Sequence, residues 1–386
     1  MLTSGLSRRR FLVSTGAIVI GQSIGTASAT KFELLTISLG EAGFSPEINA
    51  RLDAAIAEKR VWNIHGVVVM RKGRLVLERY FEGRDRERGR GDLGTVPFNP
   101  NVLHDLRSVS KSIVGLLYGI ALAQRKVPPP SAPLFQSFPE YADLAANTDR
   151  ARWTVHHVLT MTMGTDWDET AIPYTDPTNS EIAMDMAPDR YRYILDRPVV
   201  MAPGQRWIYN GGATALLGRI IAKGTGMPLH SFARKALFDP IGVGPTAWAA
   251  DHRGEEFAAS GLRMTPRDLA RIGQLMLNGG IWDATPIVPR QWVESCISAF
   301  VGVDEVRRYG YQWYLGDIAF ATPTAPRWGR SRLERFWGAY GNGGQRLFVL
   351  PGLDLVVSIT AGNYDTPDQW IPPTRVLREV VLASIL

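Results

Sequence analysis

The stretch His104-Asp105-Leu106-Arg107-Ser108-Val109-Ser110-Lys111-Ser112-Ile113-Val114-Gly115-Leu116-Leu117-Tyr118-Gly119-Ile120-Ala121-Leu122 decides how the chain reads. After Ser108 the apolar residues Ile113, Leu116, Leu117, Ile120 and Ala121 recur at helical spacing. This predicts a helix that begins at about Ser108 and is buried over most of its length. Arg125 and Lys126 suit its last turn, and Pro128, Pro129 and Pro130 forbid its continuation. Ser108 and Lys111 fall on one face of the first turn, so the amine can reach the hydroxyl. A serine hydroxyl attacks a carbonyl only when a neighbour takes its proton. A lysine serves when burial or nearby positive charge lowers its pKa from about 10.4 toward neutrality. The helix N-terminus adds partial positive charge and N–H donors where an oxyanion would form. The same four residues also fit an ordinary capped helix start, and context has to separate the two.

The chain has 386 residues, 45% hydrophobic and 21% charged, enough to bury a large core in one large or two intimate domains. Ser7-Arg8-Arg9-Arg10-Phe11-Leu12, an apolar run from Val13 to Ile20, and Ala27-Ser28-Ala29 read as a twin-arginine export signal over residues 1–29 with an A-x-A cleavage site. A mature chain starting near Thr30 and working in the periplasm or outside the cell is expected. The run is broken by Gly16, Gly21 and Gly25 and falls short of the ~20 apolar residues a span needs, so no membrane anchor is expected after cleavage. Gly21-Gln22-Ser23-Ile24-Gly25 fits the G-x-S-x-G nucleophile elbow, but it leaves with the leader. Half of the formal net charge of +6 also belongs to the leader's arginines, so nothing argues for nucleic acid. Cys296, the sole cysteine, sits in an apolar helical pattern and reads as a core thiol with no disulfide. His156 and His157 are adjacent and cannot share a helix face, and no histidine spacing suits a metal; no cofactor is expected.

Along the chain, Ser45 to Glu58 predicts an amphipathic helix, and Gly66 to Met70 and Arg74 to Phe81 a hairpin turned at Arg71-Lys72-Gly73. Arg84 to Gly94 reads as an exposed loop with Arg86, Arg88 and Arg90 as solvated charges. Thr154 opens a helix that runs to Gly164. Next comes a loop carrying Trp167, Tyr174, Tyr191 and Tyr193 among Asp166, Asp168, Asp176 and Asp185; it either lines a cleft or packs on the helices beside it. Tyr209 precedes an apolar helix from Ala213 to Ala222, Thr265 opens another, and Pro289 to Ala299 reads as a third. Tyr311 to Leu315, Phe336 to Tyr340, Arg346 to Leu350 and Leu355 to Thr360 read as strands before a last helix from Pro373 to Leu386. The pattern divides into an α/β sheet domain (30–126 and 256–386) and a helical insertion (127–255), with the site between them.

Three segments in this order resemble the serine β-lactamase and penicillin-binding superfamily, in its class C branch with the family VIII carboxylesterases and nylon-oligomer hydrolases. They are Ser108-Val109-Ser110-Lys111, Pro203-Gly204-Gln205 through Tyr209 to Leu216-Leu217-Gly218, and Tyr340-Gly341-Asn342-Gly343-Gly344-Gln345. The stretch Gly261 to Ala270 is similar to the family's connecting segment. The resemblance implies an α/β (α+β) β-lactamase-like fold, an antiparallel sheet flanked by helices with a mainly helical insertion. It implies Ser108 as the acylated nucleophile, Lys111 as its proton acceptor and Tyr209 as the proton carrier to the leaving atom. The N–H groups of Ser108 and Gly344 would form the oxyanion hole, with Asn342, Gly343 and Gln345 beside the substrate.

Two departures follow. The family's Lys-Thr-Gly is replaced by Gly341-Asn342-Gly343, and Asn210-Gly211 stands where its Tyr-x-Asn ends, so polar anchors for a β-lactam are lost while acyl transfer is kept. The expected substrate is a small-molecule ester or amide. By resemblance to the nylon-oligomer hydrolases Tyr174 would hold an amide, and Asp185 would meet a cationic substrate end. The competing readings are a linear-amide, 6-aminohexanoate-oligomer or D-amino-acid peptide hydrolase, and a catalytically silent envelope protein that only binds ligand.

Overall fold

Val67, Val68, Val69 and Met70 are all fully buried. Successive strand residues face opposite ways, so the sheet they belong to is covered on both sides. The computed structural model describes residues 34–321 and 332–386, and the expected export leader lies outside the described residues.

In chain order the elements that matter are α1 (Ile48–Ala57), β1 (Ile64–Arg71), β2 (Arg74–Tyr80), β3 (Glu82–Glu87), β4 (Gly91–Pro97), β5 (His104–Asp105) and α2 (Val109–Ala123). Then come α3 (Val155–Leu159), α4 (Ser180–Met186), α5 (Arg190–Leu195), α6 (Gly211–Thr225), β6 (Ala247–Trp248), β7 (Leu262–Met264), α7 (Pro266–Leu277) and α8 (Arg290–Cys296). The last are β8 (Val301–Gly302), β9 (Arg307–Tyr309), β10 (Tyr314–Phe320), β11 (Arg332–Gly341), β12 (Gln345–Leu350), β13 (Leu355–Ala361) and a helical tail over 371–384.

The main sheet has eight strands in the order β8-β9-β10-β11-β12-β13-β1-β2, every neighbour antiparallel. On one face Val68, Met70, Leu347, Val349 and Val356 pack with α2 and α7. On the other, Val67, Val69, Val357 and Ile359 meet Ile48 and Leu52 of α1 and Val376, Leu377 and Val380 of the tail. Each such aliphatic side chain contributes about 1.5–3 kcal/mol through burial. Between residues 127 and 255 lie helices, helical turns and, among the described residues, one two-residue strand, β6. No helix among the described residues is long and apolar enough to cross a membrane.

Helix α2 is buried from Val109 to Ala121, as its apolar spacing predicts. Its glycines let it pack closely: a Cβ on Gly119 would stand 2.0 Å from Trp292 Cδ1, where the indole N–H already donates to the Gly115 carbonyl at 2.8 Å. Gly119→Ala is therefore expected to displace the indole and cost about 1–3 kcal/mol, read as a lower urea midpoint at unchanged slope.

Four expectations are corrected. Residues 84–94 belong to the hairpin β3-β4, and two of its charges point inward. Asp85 is buried against Arg263 (3.0 Å) and Tyr364 (2.7 Å), and Arg88 pairs with Asp185. Charges buried in ion pairs look like solvated ones in a sequence, because the partners are distant along the chain. Tyr191 and Tyr193 lie on α5, not in a loop. The helix after Thr154 stops at Leu159 because Met161 takes φ 57°, which α-helix does not allow. The strand expected at 311–315 starts at Tyr314, since Gln312, at φ 64°, turns the chain first.

Candidate active site

Ser108 is the N-cap residue of α2, yet its side chain caps nothing. Its hydroxyl accepts a hydrogen bond from Lys111 Nζ at 3.0 Å, and the Tyr209 phenol lies near enough for the Ser108 side chain to influence it. Lys111 is buried, donates also to the Ala259 carbonyl at 3.0 Å, and lies 4.8 Å from the centroid of the Tyr209 ring. One hydroxyl, one amine and one phenol from distant parts of the chain thus meet at one point.

The turn that delivers Ser108 is strained and braced. Arg107 takes φ 49°, a left-handed conformation costly for a residue with a side chain. The buried Asp105 holds it there, accepting from the Arg107 N–H at 2.8 Å and, with its other oxygen, from the Arg88 N–H at 2.7 Å. Ser110 Oγ closes the turn on the Arg107 carbonyl at 2.6 Å.

Ser108 opens onto a cavity of about 460 Å³, lined also by Arg107, Tyr174, Glu181, Ser260 and Asn342. That volume suits a small organic substrate. Burial, and then the charge of Glu169, push the Tyr209 phenol well above its ordinary pKa, against the pull of the nearby Ser108 side chain. A phenol held neutral suits a relay better than a standing base, and the Lys111 amine is within hydrogen-bond reach of the serine hydroxyl.

Behind Lys111 stands Glu169, fully buried, with Oε1 at 3.8 Å from Lys111 Nζ. Its Oε2 accepts from Trp167 Nε1 at 2.6 Å and from the Gly211 N–H at 2.8 Å. Gly211 has no room for a side chain: a Cβ there would stand 2.9 Å from Glu169 Oε2. The carboxylate fills the space in front of the position where the resembled family carries its asparagine. Burial pushes the Glu169 carboxyl up; Lys111 pulls it down and Glu181 pushes it up. Arg88 lies 3.6 Å from Glu181 and pairs with Asp185.

Ser108, Lys111 and Tyr209 are brought together, and Tyr174 and Asn342 line the same cavity. The other expected site residues are spent elsewhere. The Gly344 N–H, expected as an oxyanion donor, closes a turn on the Gly341 carbonyl at 3.3 Å. The Gly343 N–H donates to Gln369 Oε1 at 2.6 Å. Gln345 is fully buried, its amide bridging both backbone groups of Ala361 at 2.6 and 3.0 Å. Asp185 meets Arg88 of its own chain rather than a substrate cation. The Asn342 side chain faces the cavity but is tied to Asp365 at 2.8 Å.

Asp105, Arg88, Glu169 and Glu181 were not legible as site residues. Among the described residues no cluster of three or more His, Cys, Asp and Glu side chains is arranged for a metal ion. His156 and His157 bond instead to Tyr311 (2.9 Å) and Thr154 (3.1 Å).

Known proteins share parts of this sequence and its fold. The chain is 28% identical over 222 residues to Esterase EstB of Burkholderia gladioli, covering 56% of this chain and 54% of that protein. It is 27% identical over 213 residues to a 6-aminohexanoate-dimer hydrolase of Paenarthrobacter ureafaciens, covering 52% of each. The chain thus spans about half the length of these two relatives. Its fold superposes with a TM-score of 0.65 on a putative 6-aminohexanoate-dimer hydrolase from Bacillus anthracis, at 19% identity over 89% of this chain and 86% of that one. The Beta-lactamase family model matches residues 53–377, so the chain belongs to the Beta-lactamase family.

Proposed function

We propose that the chain is a serine hydrolase that cleaves small esters, and more slowly linear amides, through an acyl-enzyme on Ser108. The observation that carries this reading is the place of Lys111 Nζ, 3.0 Å from the Ser108 hydroxyl and 4.8 Å from the centroid of the Tyr209 ring. In acylation the Oγ–H bond breaks as Oγ bonds the carbonyl carbon, and the proton goes to Lys111 Nζ. The oxyanion develops at the N-terminal end of α2, where the helix dipole favours negative charge. Tyr209 then gives its hydroxyl proton to the leaving oxygen or nitrogen and recovers one from Lys111. Water releases the acyl group by the same transfers in reverse.

Amide cleavage is favoured as a second reading by Tyr174, whose side chain lines the cavity with Ser108. The name of the Paenarthrobacter relative also supports it.

A fluorophosphonate probe tests the chemistry and is expected to label Ser108; an unlabelled, folded protein would refute it. A panel of p-nitrophenyl esters, 6-aminohexanoate dimer and nitrocefin tests the substrate class. Nitrocefin is expected to be turned over with kcat/KM about 100-fold or more below the best ester, because the anchors replaced at Gly341-Asn342-Gly343 and Gly211 are missing. Nitrocefin equal to the best ester would contradict the preference.

A further inference from the structure

We propose that Glu169 is a positioning residue for Lys111, a buried carboxylate that stabilises the ammonium formed when Lys111 takes the Ser108 proton. The proposal rests on the assignment of Ser108 and Lys111 above and extends it to a third group that no sequence motif marks.

The argument starts from donors and acceptors. A protonated lysine has three N–H donors. Two of those directions are occupied, by Ser108 Oγ and by the Ala259 carbonyl, each at 3.0 Å. The third can be met by Glu169 Oε1, which stands 3.8 Å away and has no hydrogen-bond partner of its own. A buried carboxylate oxygen without a partner is costly unless a cation sits close by. The other oxygen is fixed by two neutral donors, the Trp167 indole and the Gly211 N–H, so the carboxylate cannot turn away from Lys111 without losing both.

The surrounding charges leave Lys111 as the natural partner of Glu169. Glu181 on α4 is the other buried carboxylate facing it, and Arg88 lies 3.6 Å from Glu181 while pairing with Asp185. Tyr174 in its own loop, Tyr209 before α6 and Tyr309 on β9 face it as phenols, each held neutral chiefly by burial. Removing the side chain of residue 211 is what admits the carboxylate to this place.

In the reaction Glu169 exchanges no proton. The Ser108 Oγ–H proton moves to Nζ, the new ammonium sits against the carboxylate, and the proton then leaves through Tyr209. The carboxylate therefore helps only while it is charged. It makes the ammonium easier to form during attack, which raises the rate. Burial pushes the Glu169 carboxyl up, so mild acid neutralises it, removes that help and places an acidic limb on the rate profile.

The test is the pH dependence of kcat/KM on the best p-nitrophenyl ester for the whole chain and for Glu169→Gln. The amide keeps the size and the polar contacts and removes the charge. The plateau is expected to fall about 10- to 100-fold while the acidic limb moves down by about one pH unit or more. A plain packing defect would lower the rate without moving the limb. Glu169→Asp keeps the charge one methylene farther back, and its limb is expected between the other two. An unmoved limb in folded Glu169→Gln, or in Glu169→Asp if the amide variant does not fold, would overturn the proposal. Fluorophosphonate labelling of the unaltered chain is read alongside: its absence would refute the assignment of Ser108 itself, which is a separate failure.

Discussion

Replacing Ser108 by alanine is expected to lower kcat/KM for esters by about 10⁴-fold or more and to abolish fluorophosphonate labelling. In the proposed mechanism this side chain supplies the atom that bonds the substrate, and the nearby serines are committed elsewhere: Ser110 Oγ closes the preceding turn and Ser260 Oγ is bonded to Glu181 at 3.3 Å. Because the Ser108 hydroxyl caps nothing, its loss leaves the start of α2 intact. The variant is therefore expected to melt within a few degrees of the unaltered protein, with Lys111 retaining the Ala259 carbonyl and Glu169. A purified variant that kept a tenth of the activity would end the acyl-enzyme reading.

Lys111→Met is expected to cost about 10³-fold or more in kcat/KM, because the buried thioether has the shape of the lysine stem but accepts no proton. It also carries a stability signature. Lys111 is the cation that pulls the Glu169 carboxyl down against burial. Without it the folded-state pKa rises further above the unfolded value of about 4.3. The folded variant then holds a proton that the unfolded chain gives up, so its stability falls as pH rises from about 4.3 through the folded pKa. Urea titrations of the variant at a series of pH values are expected to show a midpoint that drops across this window relative to the unaltered protein. Parallel midpoints would show that Glu169 does not depend on Lys111.

Much of this arrangement was legible in the order of residues, and the reasons are local. α2 declares itself because every turn from Val109 to Ala121 is buried, so its apolar spacing has no exposed face to blur it. Ser108 and Lys111 are readable because both lie in its first turn. Tyr209 needed the resemblance, since nothing within its own segment sets it apart from a packed aromatic. The substrate side misled. Gly344, Gln345 and Asp185 stand where polar groups are wanted, but their hydrogen bonds go to Gly341, Ala361 and Arg88. Glu169 was invisible for the opposite reason: it lies in a loop full of acids, and the amine that gives it meaning belongs to a helix much earlier in the chain.

The pairing of β1 with β13, one strand in from the β2 edge of the sheet, has a consequence for when the sheet can close. A ribosome makes β1 long before β13, so β1 waits for this second neighbour while everything between them is synthesised. The layer against which α2 rests is incomplete until then, and contacts between such distant segments form slowly. A nascent chain thus carries Ser108 well before the sheet behind α2 is complete, and any reaction at that serine has to wait for β13.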